Sequence, residues 1–418
     1  MADRSLHSFY ANKFEGDARD LALVFSGPNG ASYGLLGVNP LFWIQLFVLI
    51  LLESLVNVAA AVVIYSCIIK RRGSTSAYLV GYGFLCPLLL YVPFHLVYYL
   101  DLRNTALKIG SAAAPSLLFF RCLEAMHGTA PAFATKSMES FVLYYVATVQ
   151  FQFDSKTEKP LPALRAELAS KAVRFHLLFV QVALLFSVLI PYNYRLFPRR
   201  DLQSPLDLFY WGNIGNNFLM ASLTSCCLEV GATGVGLVMS LLSGFSTVDV
   251  NDNPLTKSTS PSDFWGRRWN RLNSSSMKRG VYQPMCRVGY SKRTAALATF
   301  AASGLLHEYI LVVMTANSKD ATKQDEFLLY GSHLAFFLWN GTVLILEHLL
   351  KDLAVFKWTQ RNLPAPVQTF LVLLTVLPVA TLFTEAYIVN GFYSDYAIGF
   401  PRLVHLVETS TSTSATHS

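Results

Sequence analysis

The residue with the clearest chemical potential is His307, which lies with Glu308 in the apolar stretch 294–317. Lys292 and Arg293 mark the basic start of this stretch, and 14 residues separate Arg293 from His307, about 21 Å along a helix. An ionisable group at that depth in a bilayer is costly and indicates function. A neutral imidazole can accept the proton of a hydroxyl group that attacks a carbonyl. The structural alternative is a histidine that hydrogen-bonds across a helix interface.

The residues around His307 favour the catalytic interpretation. Thr299, Ser303 and His307 follow one another at intervals of four and therefore lie on one side of a helix. A stripe of small polar side chains that ends in a deep histidine suits the wall of a chamber reached by water. Neighbouring helices can approach closely where residues are small, and this stretch contains Ala295, Ala298, Ala301, Ala302 and Gly304.

A second group of residues combines aromatic rings with basic side chains. The stretch 262–270 reads Ser-Asp-Phe-Trp-Gly-Arg-Arg-Trp-Asn. Ser262 or Asp263 is a suitable N-cap, and the spacing places Trp265 and Trp269 on one face of a short helix. Indole rings with basic partners are typical of an anchor at the membrane–water interface.

Arg267 and Arg268 suggest a further use for this stretch. Guanidinium groups bind phosphates in a bidentate geometry that lysine lacks, so the pair can hold a nucleotide-bearing ligand. The loop 257–293 contains nine Lys or Arg residues, and after Pro261 its one acid is Asp263. Such an excess of basic residues predicts that the loop lies in the cytosol and forms a positively charged entrance for an anionic coenzyme.

Composition determines the kind of protein that must position these residues. In 418 residues, charged side chains make up 14% and hydrophobic ones 53%, and the mean hydropathy is +0.40. Soluble domains carry roughly 25% charge, so a soluble enzyme, a disordered protein and a small disulfide scaffold are excluded. The net charge of +7 sits in short loops between apolar runs and does not indicate nucleic acid. The six cysteines show no metal-binding spacing and no disulfide framework.

The predicted fold is therefore an all-α, polytopic membrane helix bundle of about eight to ten segments that encloses a reaction tunnel. We divide the chain into a polar N-terminal segment (1–34), a membrane core (35–400) that includes the motif-bearing cytosolic loop (247–293), and a disordered Ser/Thr-rich tail (401–418). The predicted segments are 41–69, 77–100, 112–126, 138–153, 175–194, 206–228, 231–245, 294–317, 327–350 and 365–390.

The distribution of positive charge leaves the topology open. Basic residues at 70–72, 156–174 and 257–293 each favour the cytosol. If the chain crosses the membrane at every predicted segment, these three stretches do not all fall on the same side. Arg195, Arg199 and Arg200 also favour the cytosol. Some short segments are therefore expected to be re-entrant or interfacial.

Three parts of the sequence together are similar to a known family. Asp263–Asn270 reads Asp-Phe-Trp-Gly-Arg-Arg-Trp-Asn, 281–284 reads Val-Tyr-Gln-Pro, and 302–308 reads Ala-Ser-Gly-Leu-Leu-His-Glu. In this order and spacing they resemble the wax synthase branch of the membrane-bound O-acyltransferases (MBOAT). The similarity is densest over 263–308, and outside that stretch only the hydropathy pattern agrees.

The resemblance implies a multi-pass endoplasmic-reticulum enzyme that transfers a fatty acyl group from acyl-CoA to a long-chain alcohol and forms a wax ester. It implies His307 as the catalytic base and Asn270 as a second catalytic residue that positions the reacting groups. Substrate-binding positions would be Phe264, Trp265, Arg267, Arg268, Trp269 and Ser303. Acyl-CoA is a co-substrate, so no cofactor and no metal are expected; the partners are acyl-CoA, the alcohol and membrane lipid.

Two alternatives remain at this point. The first keeps the reaction and changes the acceptor to a sterol, a terpenoid or a diacylglycerol hydroxyl. The second is a transporter or channel whose deep His307 serves an ion path. The absence of an internal repeat and of matching broken helices weakens the transporter interpretation.

Overall fold

The computed structural model describes residues 21–26, 32–154, 156–157, 159–201, 203–317 and 330–406. In this part of the chain, seven helices are each long and apolar enough to cross a bilayer, and the number is eight if two shorter helices, bent by 51° relative to each other, count as one span. The predicted all-α membrane bundle is confirmed, and the number of spans lies at the lower end of the expectation. The helices are α1 (Pro40–Arg71), α2 (Thr75–Tyr99), α3 (Thr105–His127), α4 (Arg165–Tyr192), α5 (Trp211–Ser243), α6 (Lys292–Thr315), α7 (Ser332–Leu350), and the bent pair α8 (Ala365–Val379) and α9 (Thr381–Val389).

Shorter elements connect these spans. Three antiparallel strands in the order β1-β2-β3 join the two ends of the chain: β1 (Leu21–Ser26), β2 (Ser32–Leu36) and β3 (Arg402–Leu406). Residues 402–406 were expected in the disordered tail but pair with β2 instead. The rest of both predicted terminal segments, 1–20, 27–31 and 407–418, lies outside the described residues. The short helices are Met138–Val146, Pro205–Phe209, Pro254–Lys257, Pro261–Asp263, Phe264–Arg268, Arg271–Met277, Lys278–Tyr282, Gln283–Arg287, Ala354–Asn362 and Phe392–Ala397.

Helix α5 corrects the predicted order of segments. The sequence suggested two spans, 206–228 and 231–245, separated near Glu229, but Trp211–Ser243 is one continuous helix about 50 Å long. Glu229 does not interrupt it because its carboxylate accepts from Arg174 Nη2 of α4 at 2.7 Å and from Ser225 Oγ at 3.1 Å. A partner on another helix therefore compensates the charge of Glu229.

One end of the bundle carries the motif-bearing loop, and we call it the motif face. Ser262 Oγ donates to Glu347, in the last turn of α7, at 2.8 Å. Arg287 Nη1 donates to the carbonyl of His127, the last residue of α3, at 2.9 Å. Lys171, in the second turn of α4, donates to the Thr247 carbonyl just after α5 at 2.5 Å. The ends of α3, α5 and α7 and the start of α4 therefore lie together on the motif face.

The other ends of the helices meet on the opposite face. Asn317 Nδ2, just after α6, donates to Asp101, just after α2, at 3.1 Å. The backbone N–H of Thr105, which begins α3, donates to Asp395 at 2.5 Å. Strands β2 and β3 pair just before α1 and after α9. Because α5 is one helix, successive long helices run in alternating directions between the two faces. This resolves the order of crossings that the sequence left open.

Three arginines between α4 and α5 lie on the face opposite the motif. Arg195, Arg199 and Arg200 were expected in the cytosol together with the motif-bearing loop, and the structure places the two sets of basic residues on opposite faces. Arg195 and Arg199 both pair with Glu385 of α9, and Arg200 lies 3.6 Å from Asp207. Local carboxylates compensate the charges of these three arginines.

A buried polar network holds the motif face together. The fully buried Arg121 of α3 donates to the carbonyls of Tyr144 at 2.5 Å and Tyr145 at 2.9 Å. Glu124, one turn further, accepts from Tyr144 Oη at 2.6 Å and from Arg279 Nε at 3.1 Å. Because Arg279 belongs to the motif-bearing loop, this network docks the loop on α3.

Candidate active site

His307 lies on α6 with one ring nitrogen engaged. Its Nδ1 is 2.7 Å from the carbonyl oxygen of Ser303, one turn earlier on the same helix. A carbonyl can only accept, so the neutral ring carries its proton on Nδ1 and keeps a lone pair on Nε2. The backbone of Ser303 thus holds the imidazole in the tautomer that a general base needs.

Aromatic side chains surround this imidazole. The Phe337 ring of α7 stacks on it with centroids 4.7 Å apart and planes at 30°, and the Phe383 ring of α9 meets it edge-on at 5.2 Å. Gly304 permits this arrangement because a Cβ at that position would lie 2.8 Å from the Leu334 Cα of α7. The expected close approach of helices beside His307 is confirmed at this glycine.

The aromatic and basic stretch folds differently from the prediction. Ser260, rather than Ser262 or Asp263, is the N-cap, and its Oγ accepts from the Asp263 backbone N–H at 3.1 Å. The helix continues as a π-helical turn to Arg268, after which Trp269 is extended. Trp269 therefore lies beyond the helix, although its ring still meets that of Trp265 at 6.3 Å.

Trp265 connects this stretch to α7 and to the wall around His307. Its Nε1 donates to Asn340 Oδ1 at 3.2 Å, and its ring lies 6.0 Å from that of Phe337. The Phe264 ring stacks on that of Trp269 with the ring centroids 5.6 Å apart. One phenylalanine, Phe337, thus touches both motifs that the sequence singled out.

The two arginines of the stretch have different surroundings. Arg268 is 21% exposed, and its Nε donates to Asp263 at 2.7 Å while its Nη1 donates to the Asp252 carbonyl at 3.1 Å. Arg267 is 74% exposed and pairs with the same Asp263 at 3.0 Å. Arg268 is thus part of the fold of the loop, and Arg267 is the arginine free to meet a ligand.

Asp263 is the carboxylate that both arginines share. Burial raises the pKa of its carboxyl, but hydrogen bonds from Arg268 and from the Thr259 backbone N–H, together with the charges of Arg268 and Arg267, outweigh burial. The pKa of Asp263 therefore lies below its ordinary value, and the group is ionised at neutral pH.

Asn270 has a structural position as well as its predicted role. It adopts the left-handed conformation with φ of 39° and caps the helix Arg271–Met277 by accepting from the Asn273 backbone N–H at 3.1 Å. Its own backbone N–H donates to Asn251 Oδ1 at 2.8 Å. Within the described residues its Nδ2 group donates to no protein acceptor, and no hydrogen bond joins Asn270 to His307.

The sequence reasoning missed His333. This fully buried histidine of α7 has its ring centroid 6.1 Å from that of His307, and its Nε2 lies 3.1 Å from the Phe383 carbonyl. His333 and Phe337 are one turn apart, so α7 presents both to His307. The signal was the same one that selected His307, an ionisable residue within an apolar segment.

A cavity of about 420 Å³ opens on the motif face next to Asn270. Its lining includes Arg271, which follows Asn270, and two basic residues of α4, of which Lys171 pairs with Glu167 at 3.0 Å and Arg174 pairs with Asp249. Among the described residues no group of three or more His, Cys, Asp or Glu side chains could hold a metal ion.

Comparison with known proteins finds similarity over the part of the chain that carries these residues. The model of the Membrane bound O-acyl transferase family matches residues 251–339, a range that contains Trp265, Asn270, His307 and His333. The chain is 23% identical to "Probable long-chain-alcohol O-fatty-acyltransferase 7" of Arabidopsis thaliana over 325 residues, which cover 74% of this chain and 83% of the relative. Over this range the chain is similar to the membrane-bound O-acyltransferases.

Other relatives align over shorter stretches. The chain is 35% identical over 80 residues to "Long-chain-alcohol O-fatty-acyltransferase" of Simmondsia chinensis, which cover 18% of this chain and 23% of the relative. It is 32% identical over 106 residues to "Acyl-CoA--sterol O-acyltransferase 1" of Arabidopsis thaliana, with 24% and 28% covered. The chain thus combines apolar helices of membrane-spanning length with similarity to acyltransferases named for long-chain alcohols and for a sterol.

Proposed function

We propose that this O-acyltransferase transfers a fatty acyl group from acyl-CoA to a long-chain alcohol and releases a wax ester and coenzyme A. The observation that carries the proposal is the geometry of His307. Its Nδ1 is held by the Ser303 carbonyl, its Nε2 keeps a lone pair, and its surroundings are aromatic. These are the properties of a base that acts on the hydroxyl group of an apolar substrate.

The reaction proceeds without a covalent enzyme intermediate. His307 Nε2 removes the proton as the alcohol oxygen attacks the thioester carbonyl, and an oxyanion forms on the former carbonyl oxygen. Collapse of this intermediate breaks the carbon–sulfur bond, and the imidazolium returns the proton to the leaving thiolate. Asn270 Nδ2 is the proposed donor to the oxyanion, a role in which an amide does not titrate.

We assign the donor to the motif face and the acceptor to the lipid. The exposed Arg267 and the cavity beside Arg271 give the anionic coenzyme a cationic approach. A tunnel would then carry the acyl chain past Trp265 and Phe337 to His307. An apolar alcohol needs no such charge and would enter sideways from the bilayer. The proposed location is the endoplasmic-reticulum membrane, with the motif face in the cytosol.

A sterol is the second candidate acceptor. The observation that favours it is the similarity of this chain to a relative named for sterol acylation. Terpenoid and diacylglycerol hydroxyls would undergo the same chemistry at His307, because the base acts on the hydroxyl group alone. The choice of acceptor would therefore depend on how the aromatic side chains around His307 accommodate the rest of the alcohol.

The test is an acyl-transfer assay with purified protein in lipid nanodiscs. Labelled long-chain acyl-CoA would be combined separately with a long-chain alcohol, a sterol, a terpenoid alcohol and a diacylglycerol. Ester from the long-chain alcohol supports the proposal, and ester from the sterol alone supports the second candidate. The absence of ester with every acceptor would contradict both.

A further inference from the structure

Three buried polar atoms at the first turn of α7 have no hydrogen-bond partner among the described residues. They are Glu308 Oε2, Ser332 Oγ and His333 Nδ1. The His333 side chain is fully buried, and Ser332 is 9% exposed. A buried polar atom without a partner costs about 1–3 kcal/mol, so three of them beside the base indicate a site that a polar guest completes.

Glu308 brings these atoms together because it caps α7. Its Oε1 accepts from the backbone N–H of Leu334 at 3.0 Å, and the preceding Gly331 offers no side-chain cap. The first backbone N–H groups of a helix are unpaired and favour a negative charge. The carboxylate of α6 therefore lies at the positive end of α7, next to Ser332 and His333, with its second oxygen still available.

This helix start is set back along the bundle from the end of α6. Leu334 is level with Glu308, which is seven residues from the end of α6 at Thr315, or about 10 Å. Irregular backbone at membrane depth is tolerated where it lines a cavity or is covered by protein. The bend between α8 and α9 is close by, since Phe383 and Tyr387 of α9 both pack on the His333 ring.

The hydrogen-bonding character of each atom determines which ligand group can bind there. His333 Nε2 donates to the Phe383 carbonyl, the backbone of His307 also approaches the ring, and in this neutral tautomer Nδ1 is an acceptor. Glu308 Oε2 is also an acceptor, whereas the Ser332 hydroxyl can donate. A hydroxyl group satisfies this set because it donates one hydrogen bond and accepts another.

We propose that Glu308, Ser332 and His333 form a binding site for a hydroxyl group at the N-terminus of α7, beside His307. The inference rests on the proposed function, because it adds a second recognition point to the same acyl acceptor. The hydroxyl comes either from a water molecule or from a second hydroxyl on the acceptor, as in a 1,2-diol or a monoacylglycerol. The reacting hydroxyl is a separate group, since its proton goes to His307 Nε2.

The experiment compares 1-hexadecanol with 1,2-hexadecanediol as acceptors for the wild type, Ser332→Ala and His333→Phe. Thr342→Val is the matched control, because it removes an exposed hydroxyl of the same helix that already donates to the Leu338 carbonyl. A high-resolution map of the wild type and of Ser332→Ala in nanodiscs accompanies the kinetics. Thermal unfolding shows that each variant is folded, and Ser332→Ala leaves the Glu308 cap in place.

If the bound hydroxyl belongs to the acceptor, the wild type should prefer the diol in kcat/KM by about 3- to 10-fold, the effect of one hydrogen bond. Ser332→Ala should then lose this preference. If the bound hydroxyl belongs to a water molecule, the wild type should show no preference, and its map should contain an ordered water at Ser332 Oγ that is absent from the variant map. Either result supports the site. Kinetics of both variants equal to those of Thr342→Val, with no density at Ser332 Oγ, would overturn it. Failure of the wild type with every alcohol would instead contradict the proposed function, and the map would still test the site.

Discussion

Phe337 stacks on His307 with ring centroids 4.7 Å apart, and the same phenylalanine lies 6.0 Å from Trp265. This contact connects the deep histidine of α6 to the aromatic stretch on the motif face. It also means that the orientation of the proposed base, His307, depends on a residue of neither motif.

Phe337→Leu is expected to lower kcat about 10-fold, with a small loss of stability. Leucine keeps most of the buried volume, but it removes the flat surface that orients the imidazole. Phe336→Leu is the matched control, because Phe336 also contacts Trp265 and Phe383 and has no described ring contact with His307. Equal kcat values for the two variants, measured in the ester assay, would argue against this role of Phe337.

The two arginines of the motif should separate into a ligand contact and a structural residue. Arg267→Gln is expected to raise the KM for acyl-CoA and to weaken its dependence on salt, since this side chain is 74% exposed. The KM for the alcohol should stay unchanged because the acceptor is uncharged.

Arg268→Gln should instead lower the stability of the loop by about 2 kcal/mol, because it removes charged hydrogen bonds to the buried Asp263. Thermal unfolding and acyl-CoA kinetics at two ionic strengths measure both effects. If Arg268→Gln changed only the KM and Arg267→Gln only the stability, the assignment would be reversed.

Asn270 can be tested with variants that separate its two roles. Asn270→Asp keeps the oxygen that caps Arg271–Met277 but loses the Nδ2 donor, and we expect kcat to fall about 10²- to 10³-fold. Asn270→Gly tolerates the left-handed backbone and should match that loss of kcat with a folded loop. An effect of Asn270→Asp confined to the KM for acyl-CoA would make Asn270 an ordinary contact in the ground state.

The ion pairs of Asp263 predict a pH dependence of stability. The pKa of this carboxyl is lowered in the folded state, so its contribution is complete above the ordinary value of about 3.9. The contribution is lost as the pH falls through the lower folded value. The difference in thermal stability between the wild type and Asp263→Asn should therefore be constant near neutral pH and shrink below about pH 4.

Asp352→Asn is the control for this titration, because Asp352 is exposed and pairs only with Lys357 among the described residues. It should change the midpoint little at any pH. A wild-type advantage over Asp263→Asn that grew as the pH fell would contradict the assigned direction.

The features that the sequence predicted are those determined by composition and local spacing. Apolar length placed the spans, and the distance from Arg293 placed His307 deep within one of them. The alanine and glycine content of α6 predicted its close packing, which Gly304 confirms against Leu334.

The features that it missed depend on partners far away in the chain. Helix α5 was predicted as two spans, whereas it is one helix that the ion pair between Glu229 and Arg174 connects to α4. Ser260 became the N-cap, rather than Asp263, because both arginines engage the Asp263 carboxylate. His333 was overlooked because only the packing of α7 on α6 brings it to His307.

The most direct test of the central claim is the rate of ester formation by His307→Ala in nanodiscs, compared with the wild type and with His348→Ala. His348 is the matched control because it is a histidine in the last turn of α7, at the motif face and three turns or more from His333. We expect His307→Ala to lose about 10²- to 10⁴-fold in kcat while its thermal unfolding stays close to that of the wild type, and we expect His348→Ala to be fully active. A folded His307→Ala protein that forms ester at the wild-type rate would contradict the account.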